Sequence, residues 1–131
     1  MSNPYESTDP IAEKASRGIQ SLRTTSLVLL LLNLVITVLV VLGLVRTNSF
    51  APLLADFDMD LPQLTQIMFS PWTIGGLIAL ALVSVAKEIL LKSGRGALIF
   101  NAAQLPLLLT VWQLQLEAKW LPFIRLIETL R

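Results

Sequence analysis

Three observations predict that this sequence forms an all-α integral membrane protein with three transmembrane helices. Apolar residues make up 54% of the chain, charged residues make up 15%, and the mean hydropathy is +0.70. Soluble domains are less apolar and more charged. Three stretches of about 20 residues are almost free of charge, and a helix of that length crosses a bilayer. By its length of 131 residues the chain is expected to form one membrane domain.

The first apolar stretch, residues 26–45, contains no charged side chain. A helix of this length rises about 30 Å, which matches the hydrocarbon thickness of a bilayer. Residues 1–25 carry acidic as well as basic side chains, and no small-residue cleavage site follows the apolar stretch, so the segment differs from a signal peptide. We therefore expect the first span to remain part of the protein.

Three aspartates alternate with apolar residues in the loop after the first span. The D-x-D-x-D pattern, starting at Asp56, is how calcium-binding loops begin, but those loops need glycine at position six and glutamate at position twelve. Leu61 and Ile67 occupy these two positions. The loop therefore predicts no metal site.

A helix start is the better interpretation of this loop, residues 46–71. Asp60 and Gln63 have the spacing of a capping box, and Pro62 falls in the first turn. Aspartates at that place also favour the positive end of the helix dipole. We expect a short helical elbow on the extracytoplasmic side between spans one and two, which includes these residues and Thr65.

The same loop, F-A-P-L-L-A-D-F-D-M-D-L-P-Q-L-T, resembles the inter-span segment of the inner-membrane platform proteins of type II secretion and type IV pilus systems. In that family an aromatic-rich stretch leads to an L-P-x-x-T element between two spans. The resemblance covers residues 50–69 and leaves out the family's large cytoplasmic helical domains. It implies the elbow geometry and a relation to secretion platforms, and it assigns no functional residue. The matching residues are Phe50, Pro52, Phe57, Leu61, Pro62 and Thr65.

The second span is predicted at residues 72–91. Ser70 and the proline after it form a typical helix start, an N-cap followed by proline at the first helical position. Lys87 and Glu88 fall near the end of the span, where a long lysine stem can reach the membrane surface. We expect a lysine, either Lys87 or Lys92, to neutralise Glu88 at that surface.

A short turn, residues 92–96, leads to the third span at residues 97–116, which is the most polar of the three. Pro106 removes one backbone hydrogen bond, a loss that neighbouring helices tolerate. We predict a spanning helix that pairs with the second as a hairpin; a re-entrant or interfacial segment is the alternative. Its polar side chains include Asn101, Gln104, Thr110, Gln113 and Gln115.

The segments at the two ends, residues 1–25 and 117–131, show apolar residues at helical spacing. One interpretation is that both form amphipathic helices in the membrane interface. The other is that each extends its neighbouring transmembrane helix. The apolar positions are Ile11, Ala15, Ile19 and Leu22 in the first segment, and Trp120, Ile124, Ile127 and Leu130 in the second.

Lysine and arginine flank the spans unevenly. They precede the first span and occupy the turn between the second and third, whereas the elbow contains only Arg46. Because cytoplasmic loops carry the excess of positive charge, this pattern predicts a cytoplasmic N-terminus and an extracytoplasmic elbow. We expect a multi-pass protein of the bacterial inner (plasma) membrane.

Polar side chains at matching depth predict contacts between the spans. Asn33, Ser84 and Gln104 each lie seven residues from the predicted inner end of a span, about 10 Å into the membrane. Such side chains usually face other helices rather than lipid. We therefore predict one interhelical polar layer formed by these three residues, with Asn101 a turn below.

Small residues predict close helix packing in the outer half. Gly43 of span one and Gly75 of span two lie at similar depth, and Gly75 with Ala79 forms a small-xxx-small pair. The pair could serve packing within the chain, or it could contact another membrane protein.

The residue types present exclude several classes of function. The chain has no cysteine and no histidine, and so lacks the usual general base and the commonest transition-metal ligands. We predict no catalytic residue, no cofactor and no metal site. A net charge of +1 argues against binding to nucleic acid.

We therefore expect a small non-catalytic subunit with an accessory or assembly role in a larger membrane complex. Its partners would be the lipid bilayer and other membrane proteins or further copies of itself. The alternative is a homo-oligomeric pore or transport component lined by the polar side chains of span three. A hydrolase that uses the loop aspartates is disfavoured, because these carboxylates have no partner base.

Overall fold

A computed structural model describes residues 9–50, 52–53, 56, 61–91 and 94–131. Its helices are α1 (Pro10–Asn48), α2 (Gln63–Met68), α3 (Pro71–Leu90) and α4 (Gly94–Thr129), and these residues contain no β-strand. Helices α1, α3 and α4 are each long and apolar enough to cross a membrane. The protein is therefore an all-α, multi-pass membrane protein.

Side-chain caps and prolines set the beginnings of two of these helices. The Ile11 N–H donates to Asp9 Oδ1 at 3.1 Å, and proline follows Asp9 at the first helical position. The Trp72 N–H donates to Ser70 Oγ at 3.2 Å, again with proline at the first position. Each cap satisfies an N–H group that has no partner within its own helix.

Helices α1 and α4 are longer than a bilayer requires. At 39 and 36 residues they rise about 58 and 54 Å, against a hydrocarbon thickness of about 30 Å. Residues 10–25 and 117–129 continue the helices of their neighbouring spans, so in this part of the chain the structure contains no separate interfacial helices. No glycine or proline interrupts the chain between Arg23 and Ser26, and the hydroxyls of Thr24 and Thr25 return to carbonyls one turn earlier at 2.9 Å.

The three long helices form a bundle in which α1 packs along α4 and, over a shorter length, against α3. Helix α2 packs against α4. We call the end of the bundle at Ser26, Lys87 and Asn101 the amino end, and the end at Thr47 and Thr65 the elbow end. The apolar core occupies the elbow half and consists of Val40, Leu44, Met68, Leu77, Leu108 and Ala118.

Candidate functional site: a buried polar cluster between three spans

Polar side chains from all three long helices meet in the amino half of the bundle. Ser26, Asn33, Ser84 and Asn101 have no exposed surface, and Lys87 and Gln104 are also buried. Helical spacing brings them together, because residues three, four or seven apart share one face of a helix. We call this set the polar cluster: Ser26 and Asn33 from α1, Ser84, Lys87 and Glu88 from α3, and Asn101 and Gln104 from α4.

Asn101 is the centre of the polar cluster, because it bonds to both other spans. Its Nδ2 donates to the backbone oxygen of Ser26 at 2.9 Å and lies 3.0 Å from Ser26 Oγ. Its Oδ1 accepts from Lys87 Nζ at 2.7 Å, and its backbone oxygen accepts from Asn33 Nδ2 at 2.9 Å. One side chain and one carbonyl of α4 therefore connect α1 to α3.

The Lys87 ammonium is buried rather than placed at the membrane surface, which corrects the expectation from the sequence. Its Nζ lies 2.7 Å from Asn101 Oδ1, 3.1 Å from the Ala97 oxygen and 3.6 Å from Glu88 Oε2. It also lies 4.6 Å from the centre of the Phe100 ring. Two carbonyl oxygens accept hydrogen bonds from the ammonium, and the nearby Glu88 carboxylate compensates its charge, which offsets the loss of water around it.

Glu88 completes the charged part of the polar cluster. Its Oε1 accepts from Ser26 Oγ at 3.1 Å, and its Oε2 pairs with the Lys87 ammonium. The side chains of this ion pair are 9% and 13% exposed, so the neutralisation takes place inside the bundle. The other expected partner, Lys92, lies outside the described residues.

The four residues predicted as one polar layer form two bonded pairs. Asn33 bonds to the Asn101 carbonyl, and Ser84 Oγ lies 2.7 Å from Gln104 Oε1. Ser84 Oγ is also 2.7 Å from the Leu80 oxygen, so its single hydrogen serves one acceptor at a time.

Each of the two pairs leaves one buried side-chain atom unbonded within the described residues. Asn33 Oδ1 and Gln104 Nε2 have no hydrogen-bond partner among the described residues. Beyond this level lies the buried Thr37, and then the apolar core begins with Val40, Leu77 and Leu108.

Sequence reasoning did not assign Ser26, Lys87 and Glu88 to the polar cluster. The usable signal was helical spacing, because Lys87 and Glu88 lie three and four residues after Ser84 and so share its face. Ser26 similarly lies seven residues before Asn33. A lysine near the end of a spanning helix usually extends its ammonium into water, and this expectation led away from assigning Lys87 to the polar cluster.

The elbow is fixed to α4 by a hydrogen bond. Thr65 is fully buried, and its Oγ1 donates to the Ala118 oxygen at 3.1 Å. That carbonyl would normally accept from the N–H four residues later, where Pro122 has none. Thr65 therefore bonds a carbonyl that α4 itself leaves free.

The start of α2 differs from the predicted capping box. Helix α2 begins at Gln63, with Pro62 as its N-cap residue and no side-chain cap bond, whereas the capping box needs Gln63 at the third helical position. Proline disfavours helical geometry at the residue before it, so Leu61 does not take the first position. Asp60 lies outside the described residues.

The small residues divide between the inside and the outside of the bundle. A Cβ added at Gly43 would overlap the Gln115 amide, so glycine permits this contact between α1 and α4. A Cβ added at Gly75 would meet no described atom within 4 Å, and Ala79 is also exposed. The small-xxx-small pair therefore does not pack within the described part of the chain.

No group of three or more acidic, histidine or cysteine side chains that could hold a metal occurs among the residues that the structure covers. Of the three loop aspartates, only Asp56 lies among those residues. Within the polar cluster the Lys87 ammonium pairs with the Glu88 carboxylate, and hydrogen bonds join the three helices. Comparison with known protein families, curated proteins and solved structures finds no match for this chain.

Proposed function

We propose that this protein is a small non-catalytic accessory or assembly subunit of a larger membrane complex. The excess of lysine and arginine before the first apolar stretch, residues 26–45, and around the turn between α3 and α4 favours a cytoplasmic N-terminus and an extracytoplasmic elbow. The membrane we propose is the bacterial inner membrane. The resemblance of residues 50–69 to secretion-platform proteins favours a complex of that kind.

The observation that carries this proposal is the division of α3 into two faces. Its buried residues, Leu77, Ser84 and Lys87, lie on one narrow edge against α1 and α4. Directly opposite, at helical spacing, lies an exposed face with three small residues. We call this the outer face of α3: Gly75, Ala79, Leu82 and Ala86.

The outer face of α3 suits contact with another transmembrane helix. Association in lipid depends on close packing rather than on removal of apolar surface from water, and small residues allow two backbones to approach closely. Ser84, Lys87 and Glu88 of α3 already bond inside the bundle, so selectivity at this face would come from shape. An accessory subunit needs a stable fold of its own and a free face for its partner. The polar cluster holds the bundle together, and α3 presents the free face.

The homo-oligomeric pore has less support. Three polar residues of α4 that could line a path, Asn101, Gln104 and Gln115, are buried within the chain. Thr110 and Gln113 are exposed, and the Thr110 hydroxyl already donates to the Pro106 oxygen at 2.8 Å. A pore lined by α4 would therefore depend mainly on Gln113.

Site-specific photo-crosslinking in intact membranes tests the proposed subunit role. A crosslinking residue at Ala79 is expected to give a discrete adduct with a different membrane protein, and Gly75→Leu is expected to abolish it. Ala103, which is exposed on α4, serves as the matched position, and Ala102→Leu as the matched substitution. Identical adducts from Ala79 and Ala103, or an adduct that persists with Gly75→Leu, would refute the proposed contact.

A further inference from the structure

An apolar cavity of about 150 Å³ lies at the elbow end, apart from the polar cluster and from the outer face of α3. Aromatic side chains from three segments line it: Phe50 after α1, Phe69 after α2, and Trp120 and Phe123 on α4. The Trp120 and Phe123 rings contact each other with centroids 6.4 Å apart. The cavity is partly open to the outside of the bundle, and its volume suits an apolar group about as large as benzene.

The spans predicted from the sequence place the cavity at the boundary of the membrane. Thr47 on its wall follows the first apolar stretch by two residues, and Ala118 follows the third by the same distance. At this level lipid headgroups meet the first methylene groups of their acyl chains, and tryptophan is enriched there. The apolar group most available to this cavity is therefore the upper part of an acyl chain.

Charge distinguishes which lipid suits the cavity. Lys119 forms part of the wall, and Arg46 lies beside Thr47, which is also on the wall. Neither cation has a salt bridge within the described ranges. A lysine next to an apolar slot matches a phosphate next to an acyl chain, since lysine binds phosphate as a point charge.

We propose that this cavity binds an anionic phospholipid of the leaflet at the elbow end. The upper acyl chain occupies the aromatic cavity, and the headgroup phosphate lies against Lys119. The bound lipid fills the space between α4 and the elbow. This site depends on the three spans but not on the proposed subunit role.

Quenching of tryptophan fluorescence tests the site in the full-length protein in mild detergent. Phosphatidylglycerol and phosphatidylcholine with the same brominated acyl chains are titrated, and a Trp120→Phe variant isolates the signal of Trp120. Phosphatidylglycerol is expected to quench Trp120 at about fivefold lower concentration, the effect of one basic residue at a membrane surface. Equal quenching by the two lipids would overturn the proposal.

Substitutions locate the effect. Lys119→Gln is expected to remove the preference for the anionic lipid, whereas Lys14→Gln, on the exposed part of α1, is expected to keep it. Leu61→Phe fills the cavity. It is expected to raise the phosphatidylglycerol concentration needed to quench Trp120 to that of phosphatidylcholine. Ile67→Phe, an exposed position on α2 outside the cavity wall, is its matched control.

Circular dichroism and thermal unfolding confirm that each variant is folded. Lys119→Gln alters a solvated charge, so it keeps the site testable even if Leu61→Phe disturbs packing. A preference that survives Lys119→Gln would contradict the headgroup assignment. Quenching by neither lipid, with the aromatic residues shielded instead by a co-purified protein, would assign the cavity to a protein partner and refute the lipid site.

Discussion

Thr65 donates its hydroxyl hydrogen to the carbonyl oxygen of Ala118 at 3.1 Å, across a sequence separation of 53 residues. Pro122 leaves this carbonyl without its helical donor, and Thr65 replaces that donor from another segment. The proline that weakens α4 therefore creates the acceptor that holds α2. The bond connects the elbow to the bundle at one defined point.

Replacement of Thr65 by valine is expected to lower the free energy of unfolding by about 1–2 kcal/mol, because the buried Ala118 carbonyl loses its donor. In a Pro122→Ala background the helix supplies an N–H for the same carbonyl, so Thr65→Val is expected to cost less than half as much. Reversible unfolding in mixed micelles measures all four proteins of this cycle. Equal costs in the two backgrounds would show that Thr65 and Pro122 act independently.

The buried ion pair gives a second prediction. Lys87→Met is expected to destabilise the fold by about 3 kcal/mol, because it leaves the Glu88 carboxylate and Asn101 Oδ1 without their cation. Adding Glu88→Gln removes the unpaired charge and is expected to recover part of the loss. Lys14→Met on the exposed part of α1 is expected to change stability by less than about 0.5 kcal/mol. A Lys87→Met variant as stable as Lys14→Met would contradict the buried arrangement.

The two amides of α4 are expected to differ in importance. Asn101→Leu removes bonds to both other spans and is expected to cost about 2–4 kcal/mol, since it also deprives Lys87 of an acceptor. Gln104→Leu removes one bond to Ser84 together with an unpaired donor, so a change within about 0.5 kcal/mol is expected. The same unfolding assay ranks them. The reverse order would place the centre of the polar cluster at Gln104.

Close packing at Gly43 gives a fourth prediction. Gly43→Leu is expected to cost about 1–3 kcal/mol, because its side chain takes the space of the Gln115 amide. Shortening the neighbour with Gln115→Ala is expected to recover part of this loss. Gly18→Leu, at a helical position with no described atom within 4 Å, is the control and is expected to be neutral or slightly stabilising. A Gly43→Leu protein as stable as this control would contradict the close packing of α1 against α4 at Gly43.

The number of long apolar helices was predictable from the sequence, because the bilayer fixes the length and composition of a spanning helix. The boundary between each membrane span and its flanking segment was not predictable from the sequence. An interfacial helix and an extension of a transmembrane helix share the same apolar spacing, so residues such as Ile19 and Ile124 fit both. The absence of a break near Ser26 separates the alternatives for the first segment, and the continuation of α4 through Pro122 to Thr129 separates them for the second.

The contacts of the polar cluster were less predictable than its depth. Counting residues from the span ends brings Ser84 and Gln104 to one level, but it does not say which side chains point at each other. The stem of Lys87 is long enough to reach either water or the start of α4, and the neighbouring acceptors decide between them. Spacing likewise places Gly75 and Ala79 on one face of α3, but it leaves open which helix that face meets.

The threading of the chain is the claim on which the rest depends, and the absence of cysteine makes it directly measurable. Single cysteines at Ser16, Asp56, Ser93 and Thr129 can each be labelled in intact cells with a membrane-impermeant maleimide. Three crossings with a cytoplasmic N-terminus predict that Asp56 and Thr129 react from outside, and that Ser16 and Ser93 react only after the membrane is opened. Labelling of Ser16 and Asp56 from the same side would contradict three crossings.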